Sequence, residues 1–137
     1  MNKIIFIILT IFSLSCKTNQ TKNKLKVGRW IYSDTVNAVC YKQVGRYHKN
    51  IEKGTWKSYE GNILVKTEKY KKEYCLATTF HKNGQIASQG ITKLSESEND
   101  THWYYFGQWK FYDQAGQLLE TKTYKKEALY ENEKPKN

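Results

Sequence analysis

The residue patterns that usually carry catalysis are missing from this sequence of 137 residues. Its three histidines, His48, His81 and His102, are far apart, and neither an i, i+4 histidine pair nor an HExxH motif occurs, which argues against a zinc site. There is also no Gly-x-Ser-x-Gly elbow and no glycine-rich phosphate loop. We therefore expect a protein that is not an enzyme and that holds no metal or cofactor.

Long apolar runs are missing too, except for one at the N-terminus. Residues 4–14 are almost entirely apolar and follow the polar, positive pair Asn2 and Lys3. Eleven residues are too few to span a bilayer comfortably, but they suit the apolar region of a secretory signal. The sequence predicts that residues 1–15 are a helical signal peptide.

The end of this run resembles the lipobox of bacterial lipoproteins. Ser13-Leu14-Ser15-Cys16 places small residues before a cysteine, with serines where the family usually has leucine and then glycine or alanine. The resemblance implies cleavage before Cys16 and attachment of acyl chains to it, which would hold the chain at a membrane. Ordinary secretion and an uncleaved anchor are the alternatives. Residues 16–26 are mostly Lys, Asn, Thr and Gln, so we predict a flexible tether there.

Acidic residues are few. The chain has 23 Lys and Arg against 13 Asp and Glu, and removing residues 1–15 takes away only Lys3, so the mature chain would carry 22 − 13 = +9. Export makes nucleic acid an unsuitable partner, which leaves anionic lipid head groups, acidic glycans or an acidic protein. A plainer interpretation is that the lysines keep a sheet soluble and discourage pairing at its edges.

The clearest pattern is GQWKFYDQAGQLLETKTY, at residues 107–124. Trp109 and Phe111 alternate with polar residues at the period of a half-buried strand. Residues 113–116 form a polar break that ends in glycine, and residues 118–124 are again strand-like. The stretch predicts a β-hairpin. Because a lone hairpin is only marginally stable in water, we expect neighbouring copies.

Three weaker copies precede it, at residues 27–33, 54–70 and 76–91. Three of the four copies begin with Gly-x-Trp, whereas the copy at 76–91 has lost both residues. That copy has Asn83-Gly84 at its turn, a dipeptide suited to a tight type I′ reversal. The aromatic residues that recur are predicted to form the repeat core, with a glycan-binding platform as the alternative: Trp30, Trp56, Tyr59, Phe80, Trp109 and Tyr112.

This arrangement resembles the MORN-variant repeat family, whose units run Gly-x-Trp-x-x-Tyr, a turn with Asn-Gly, and a strand rich in Lys and Glu. The resemblance covers residues 27–126 and is weakest at 34–53, where we expect an insertion. It implies an all-β domain of consecutive antiparallel hairpins in one elongated sheet. It carries no catalytic residues. Residues 127–137 are predicted to be a polar tail, and residues 95–101 a polar, acidic loop.

Five ring-bearing residues follow that loop, at 102–106. Strand alternation would place Trp103 and Tyr105 on one face and Tyr104 and Phe106 on the other. One pair would then be exposed as a contact surface, unless the strand is buried on both sides.

Apart from Cys16, the cysteines are Cys40 and Cys75. In an exported protein they would form either a disulfide or two free thiols. Taken together, these features predict a lipid-anchored protein that binds a protein or an anionic component of the bacterial cell envelope. An immunity or antitoxin-like protein that covers a toxin is the second hypothesis, and an unrecognised hydrolase is the third.

Overall fold

The computed structural model describes residues 17–96 and 101–125, which form an all-β structure of nine strands in a single open sheet. The strands are ordered β1 to β9, as along the chain, and each is antiparallel to the next. Their bounds are β1 Gln20–Lys22, β2 Leu25–Val36, β3 Val39–His48, β4 Ile51–Glu60, β5 Ile63–Tyr70, β6 Tyr74–Phe80, β7 Ile86–Glu96, β8 Thr101–Tyr112 and β9 Leu118–Tyr124.

Neither of the described ranges contains a helix, and therefore none long and apolar enough to cross a membrane. The predicted signal helix at residues 1–15, Cys16 and the predicted tail at 127–137 lie outside the described residues, as do residues 97–100 of the predicted acidic loop. The ends of that loop, residues 95–96 and 101, belong to β7 and β8.

The prediction of a flexible tether at residues 16–26 is wrong from Gln20 onward. Gln20–Lys22 forms β1, which pairs with the start of β2. The backbone of an edge strand can pair while its polar side chains stay in water, so this composition is compatible with a strand. Asn19 adds to the attachment, since its side chain both accepts from the backbone N of Ile31 (2.7 Å) and donates to the backbone O of the same residue (3.0 Å).

The sequence predicts an insertion at residues 34–53, but the structure has regular sheet there. Two-residue turns with positive φ at both positions connect β2 to β3 (Asn37-Ala38) and β3 to β4 (Lys49-Asn50), and Asn23-Lys24 does the same between β1 and β2. Positive φ at both central residues is the type I′ geometry that suits the twist of paired strands. Alanine and lysine rarely adopt it, so these turns carry no clear sequence signal.

Asn83-Gly84 does not form the tight type I′ reversal that it predicts. Of the two residues only Gly84 has positive φ (85°), and the connection is a five-residue loop, residues 81–85, in which Gly84 N donates to His81 O (2.9 Å). The loop at residues 113–117 is built in the same way, with Gly116 at φ 81°. Hairpins β6–β7 and β8–β9 therefore share one type of turn. Asn83 links the two loops by donating from Nδ2 to the backbone O of Gln114 (2.8 Å).

Hairpins β4–β5, β6–β7 and β8–β9 also share a bulge. In each, the returning strand contains one residue more than its partner just after the turn: Val65 in β5, Ala87 in β7 and Leu119 in β9. The same irregularity at the same place shows that the sequence copies at 54–70, 76–91 and 107–124 are structural repeats.

Candidate functional site

The Gly-x-Trp motifs place a tryptophan flat on a glycine of the preceding strand. Residues 54–56 of β4 bulge opposite the single residue Gly45 of β3, and residues 107–109 of β8 bulge opposite Gly90 of β7. A Cβ added at Gly45 or Gly90 would overlap the indole of Trp56 or Trp109. Each indole is only 2 % exposed, and its Nε1 donates to the carbonyl that follows the glycine, Arg46 O (3.2 Å) or Ile91 O (2.9 Å).

Trp30 makes a third version of this contact at the edge of the sheet. Its Nε1 donates to Gln20 O (3.2 Å), the carbonyl after Asn19, and also to Val27 O (3.1 Å). Asn19 has φ 55° and occupies the position that Gly45 and Gly90 hold elsewhere. Trp30 is half-buried, because the short strand β1 is its only neighbour on the outer side of β2.

The degenerate copy at 76–91 keeps the positions but not the residues. Ala77, 3 % exposed, stands where the other hairpins have tryptophan, and Phe80 stands beside the bulge where they have Tyr59 and Tyr112. Without an indole to accommodate, β5 and β6 pair without a bulge. Tyr59, Phe80 and Tyr112 are half-buried, so the fully buried part of the predicted repeat core is limited to Trp56 and Trp109.

Both tryptophans lie on the same side of the sheet, which we call the aromatic face. Register relates its members across the strands, since Trp56 pairs with Glu68, Glu68 with Ala77, and Ala77 with Gly90 under Trp109. Residues that are directly opposite in a sheet project to the same side. The ring-bearing members of the aromatic face are Trp30, Tyr32, Tyr41, Tyr47, Trp56, Tyr70, Trp103, Tyr105, Trp109, Phe111 and Tyr124.

At the N-terminal end of this face, tyrosines cover Trp56. The ring of Tyr32 stacks on it with centroids 6.2 Å apart, and Tyr47 approaches edge-on at 4.9 Å. Lys26 completes the group, with Nζ 5.1 Å from the rings of Trp30 and Tyr47 and 2.9 Å from the hydroxyl of Tyr32. Such cation–π contacts and ring pairs each contribute about 0.5–1.5 kcal/mol, which matters in a sheet with so little aliphatic core.

The contact with Lys26 also makes the pKa values of Tyr32 and Tyr47 differ. Burial raises the pKa of Tyr32, but hydrogen bonds to Lys26 and Tyr47 outweigh it, so the pKa of Tyr32 lies below its ordinary value. Burial and the hydrogen bond to Tyr32 raise the pKa of Tyr47 well above the usual range. Tyr47 therefore acts as a neutral phenol at physiological pH.

At the other end of the face, the segment 103–106 divides as strand alternation predicts. Trp103 is 38 % exposed and Tyr105 48 % exposed, and both lie on the aromatic face. Tyr105 stacks on the buried Trp109 at 4.1 Å, while Trp103 meets Tyr70 edge-on at 5.5 Å. These contacts fix the orientation of the exposed rings.

The other pair of that segment lies on the opposite face. Tyr104 is 8 % exposed, and Phe106 is half-buried under Lys93, whose Nζ lies 3.8 Å from the ring centroid. Trp103 and Tyr105 are therefore the members of the predicted contact surface that a partner could reach directly.

Cys40 and Cys75 are free thiols, so the disulfide alternative is not realised. Cys40 lies in β3 and Cys75 in β6, and three strand spacings of about 4.8 Å separate these strands, which is more than a disulfide can span. Cys40 is exposed, whereas Cys75 is 1 % exposed. Burial raises the pKa of Cys75 to about 11. Its thiol is consequently protonated and a poor nucleophile at neutral pH.

Within residues 17–96 and 101–125, no group of three His, Cys, Asp or Glu side chains could hold a metal ion. His81 is tied to the fold, with Nε2 2.9 Å from the backbone O of Tyr112. The arrangement offers ring faces and hydroxyls for binding. Sequence reasoning missed the partners of the tryptophans, Asn19, Gly45 and Gly90. Their only signal in the sequence is a glycine or an asparagine in a strand or directly before one.

Comparison of this chain with protein-family models, with curated proteins and with solved structures found no match to any of them.

Proposed function

We propose that this chain is a lipid-anchored, non-enzymatic MORN-variant repeat protein that binds a component of the bacterial cell envelope through the C-terminal part of its aromatic face. The observation that carries the proposal is the exposed pair Trp103 and Tyr105, held in place by an edge-on contact of Trp103 with Tyr70 and by stacking of Tyr105 on the buried Trp109. Rigid aromatic side chains lose little conformational entropy on binding and are enriched among the residues that dominate binding energy.

The repeat assignment is supported by the recurrence of one geometry. Gly-x-Trp bulges occur in β4 and β8, and the extra residue after the turn occurs in three hairpins. The anchor rests on the sequence, namely the apolar run at residues 4–14 followed by Ser13-Leu14-Ser15-Cys16. Two or more acyl chains hold a protein stably at a bilayer, since each buried CH₂ contributes about 0.8 kcal/mol.

The anchor is tested by labelling growing bacterial cells with a palmitate analogue. The wild-type chain is expected to take up the label and to sediment with membranes, and the Cys16→Ser variant to do neither. Label retained in Cys16→Ser would contradict the anchor.

The contact surface is tested by photo-crosslinking and affinity capture from solubilised envelopes. The double variant Trp103→Ala/Tyr105→Ala is expected to lose the captured component. Tyr41→Ala is the matched control, because Tyr41 is similarly exposed (45 %) and makes no ring contact within the described residues. Equal capture by both variants, or turnover of a substrate by the purified chain, would overturn the proposal. Capture of a single toxin would replace it with the immunity hypothesis.

A further inference from the structure

Charges in strands β2 to β5 are divided between the two faces of the sheet. Four carboxylates, those of Asp34, Glu52, Glu60 and Glu68, lie on the aromatic face together with Lys26 and Lys66. That side carries 2 − 4 = −2 charges. The opposite side of the same strands has no carboxylate and carries +6. We call this side the basic face, and its cations are Arg29, Lys42, Arg46, Lys53, Lys57 and Lys69.

Three of these cations form a row across the strands. Arg29 is directly opposite Arg46, and Arg46 is directly opposite Lys53. Like charges at directly opposite positions destabilise a sheet, and neighbouring strands are only about 4.8 Å apart. The row therefore does not stabilise the sheet, and an anion bound over it would relieve the repulsion between its cations.

No carboxylate of the described chain neutralises the basic face. The ion pairs among the described residues involve other lysines: Lys66 with Glu68, Lys82 with Glu60, and Lys122 with Glu120. The cations of the basic face are also not among the lysines that lie over aromatic rings. All six are thus available to a ligand.

The surface between these cations is concave and only partly charged. Five of them surround a depression of about 390 Å³, whose remaining lining includes Val44, Thr55 and Tyr59. An aromatic ring and a hydroxyl between cations complement a sugar, which offers C–H groups to stack on the ring and hydroxyls to hydrogen-bond. A flat membrane surface would meet the rim of such a depression but not its floor.

We infer that the basic face binds a linear acidic polysaccharide with an anionic group on successive sugars. The inference rests on the proposed function, because it names the class of envelope component that a second surface of the same protein holds. The spacing of the cation row matches this class, since neighbouring strands are separated by about the length of one sugar residue. Guanidinium groups of Arg29 and Arg46 can each hold a carboxylate with two hydrogen bonds, and the lysines add point charges.

The experiment measures binding of polygalacturonate to the purified full chain in an uncharged detergent by isothermal titration calorimetry. Wild type is expected to bind, with affinity that falls as salt rises, and not to bind neutral dextran. Arg46→Gln/Lys53→Gln is expected to weaken binding about tenfold. Lys71→Gln/Lys72→Gln, which removes the same charge from the loop between β5 and β6, is expected to bind as wild type does. Arg46→Gln should also unfold at an unchanged or higher urea concentration, because it removes a repulsion.

Equal weakening by the two double variants would overturn the inference, as would equal binding of dextran. Binding to phosphatidylglycerol vesicles without binding to polygalacturonate would replace it with a membrane contact. These failures are distinguishable from failure of the proposed function. Loss of polygalacturonate binding with palmitate label and capture through Trp103 intact overturns only the role of the basic face. The reverse pattern overturns only the anchor and the aromatic contact surface.

Discussion

Gly90 is a position where a small change should have a large effect on stability. A methyl group at this residue would overlap Cδ2, Cε2 and Cγ of Trp109, and these belong to a rigid ring, so no bond rotation at the end of a flexible chain can relieve the clash. The indole is 2 % exposed, stacked under Tyr105 and hydrogen-bonded to Ile91 O. It has no room to move without giving up these contacts.

The expected cost of Gly90→Ala follows from these contacts. Overpacking of a buried ring costs roughly 1–3 kcal/mol. Displacement of the indole loses a hydrogen bond worth about 1 kcal/mol. The gain from replacing glycine by alanine in a strand offsets about 0.5–1 kcal/mol. The net expectation is a loss of about 1–3.5 kcal/mol, centred near 2 kcal/mol, out of the roughly 5–15 kcal/mol that stabilises a domain.

Urea unfolding followed by far-UV circular dichroism measures this loss, and two further variants identify its cause. Gly107→Ala is the matched control, because Gly107 has φ 68° and nothing within 4 Å of an added Cβ, so only backbone strain of about 1 kcal/mol is expected. In a Trp109→Val background the ring is gone, and Gly90→Ala should then be neutral or slightly stabilising. An equal cost of Gly90→Ala in both backgrounds would refute the stacking of the tryptophan on glycine as the reason.

Two other regions give shorter tests. Iodoacetamide should modify the exposed Cys40 in the native chain and reach Cys75 only in urea, and equal labelling in peptide mass spectra would contradict the burial of Cys75. Because the folded state raises the pKa of Cys75 to about 11, the native protein binds more protons than the unfolded chain above pH of about 9. Stability should therefore fall as pH rises from about 9 to 11, and less so in Cys75→Ala. Asn19→Ala loses two hydrogen bonds to Ile31, so hydrogen exchange should accelerate at Ile31 N and across β1 while β6 to β9 stay protected. Unchanged exchange in β1 would show that Asn19 does not hold the edge.

The part of the fold that sequence could predict is the part where one residue type has one strong conformational preference. Alternating Trp109 and Phe111, followed by a polar break with glycine, predicts the β8–β9 hairpin, and the structure has it. The copies at 54–70 and 76–91 are confirmed as hairpins in the same way. Aromatic residues favour the pleated surface, and glycine favours the reversal, so both signals are local.

The part that could not be predicted depends on backbone conformations that the residues tolerate rather than prefer. Asn37-Ala38 and Lys49-Asn50 turn with positive φ, although alanine and lysine give no warning of it. The strands around these turns also lack a clear alternation of apolar and polar residues, because both faces of the sheet near β3 are exposed to water. Here strand pairing on either side imposes the turn, and local propensity yields to it.

The glycine beneath each tryptophan is hidden for a geometric reason. Gly45 precedes Trp56 by 11 residues and Gly90 precedes Trp109 by 19, because the hairpin between the glycine and the tryptophan has longer strand segments and a longer connection in the second case. A contact between neighbouring strands has no fixed spacing in sequence, whereas the Gly-x-Trp motif within one strand does. The sequence also does not show which pair of the 103–106 segment is exposed. The outcome depends on which face of the sheet holds the indole of Trp109.

A single layer of strands explains why the two surfaces of this protein can specialise independently. In a sandwich, one face of each sheet must be apolar to form the core, which leaves only one face for function. Here the two fully buried indoles lie flat on glycines with tyrosines over them, all on the aromatic face. In β2 to β5 the opposite face has no fully buried side chain, and it can therefore tolerate a row such as Arg29, Arg46 and Lys53. Because register links every strand to the next, a charge placed at alternate positions accumulates on one side of the sheet. The same alternation that lets the tryptophans stabilise the layer thus concentrates six cations on its other side, where a bound polyanion would be separated from the carboxylates by the sheet itself.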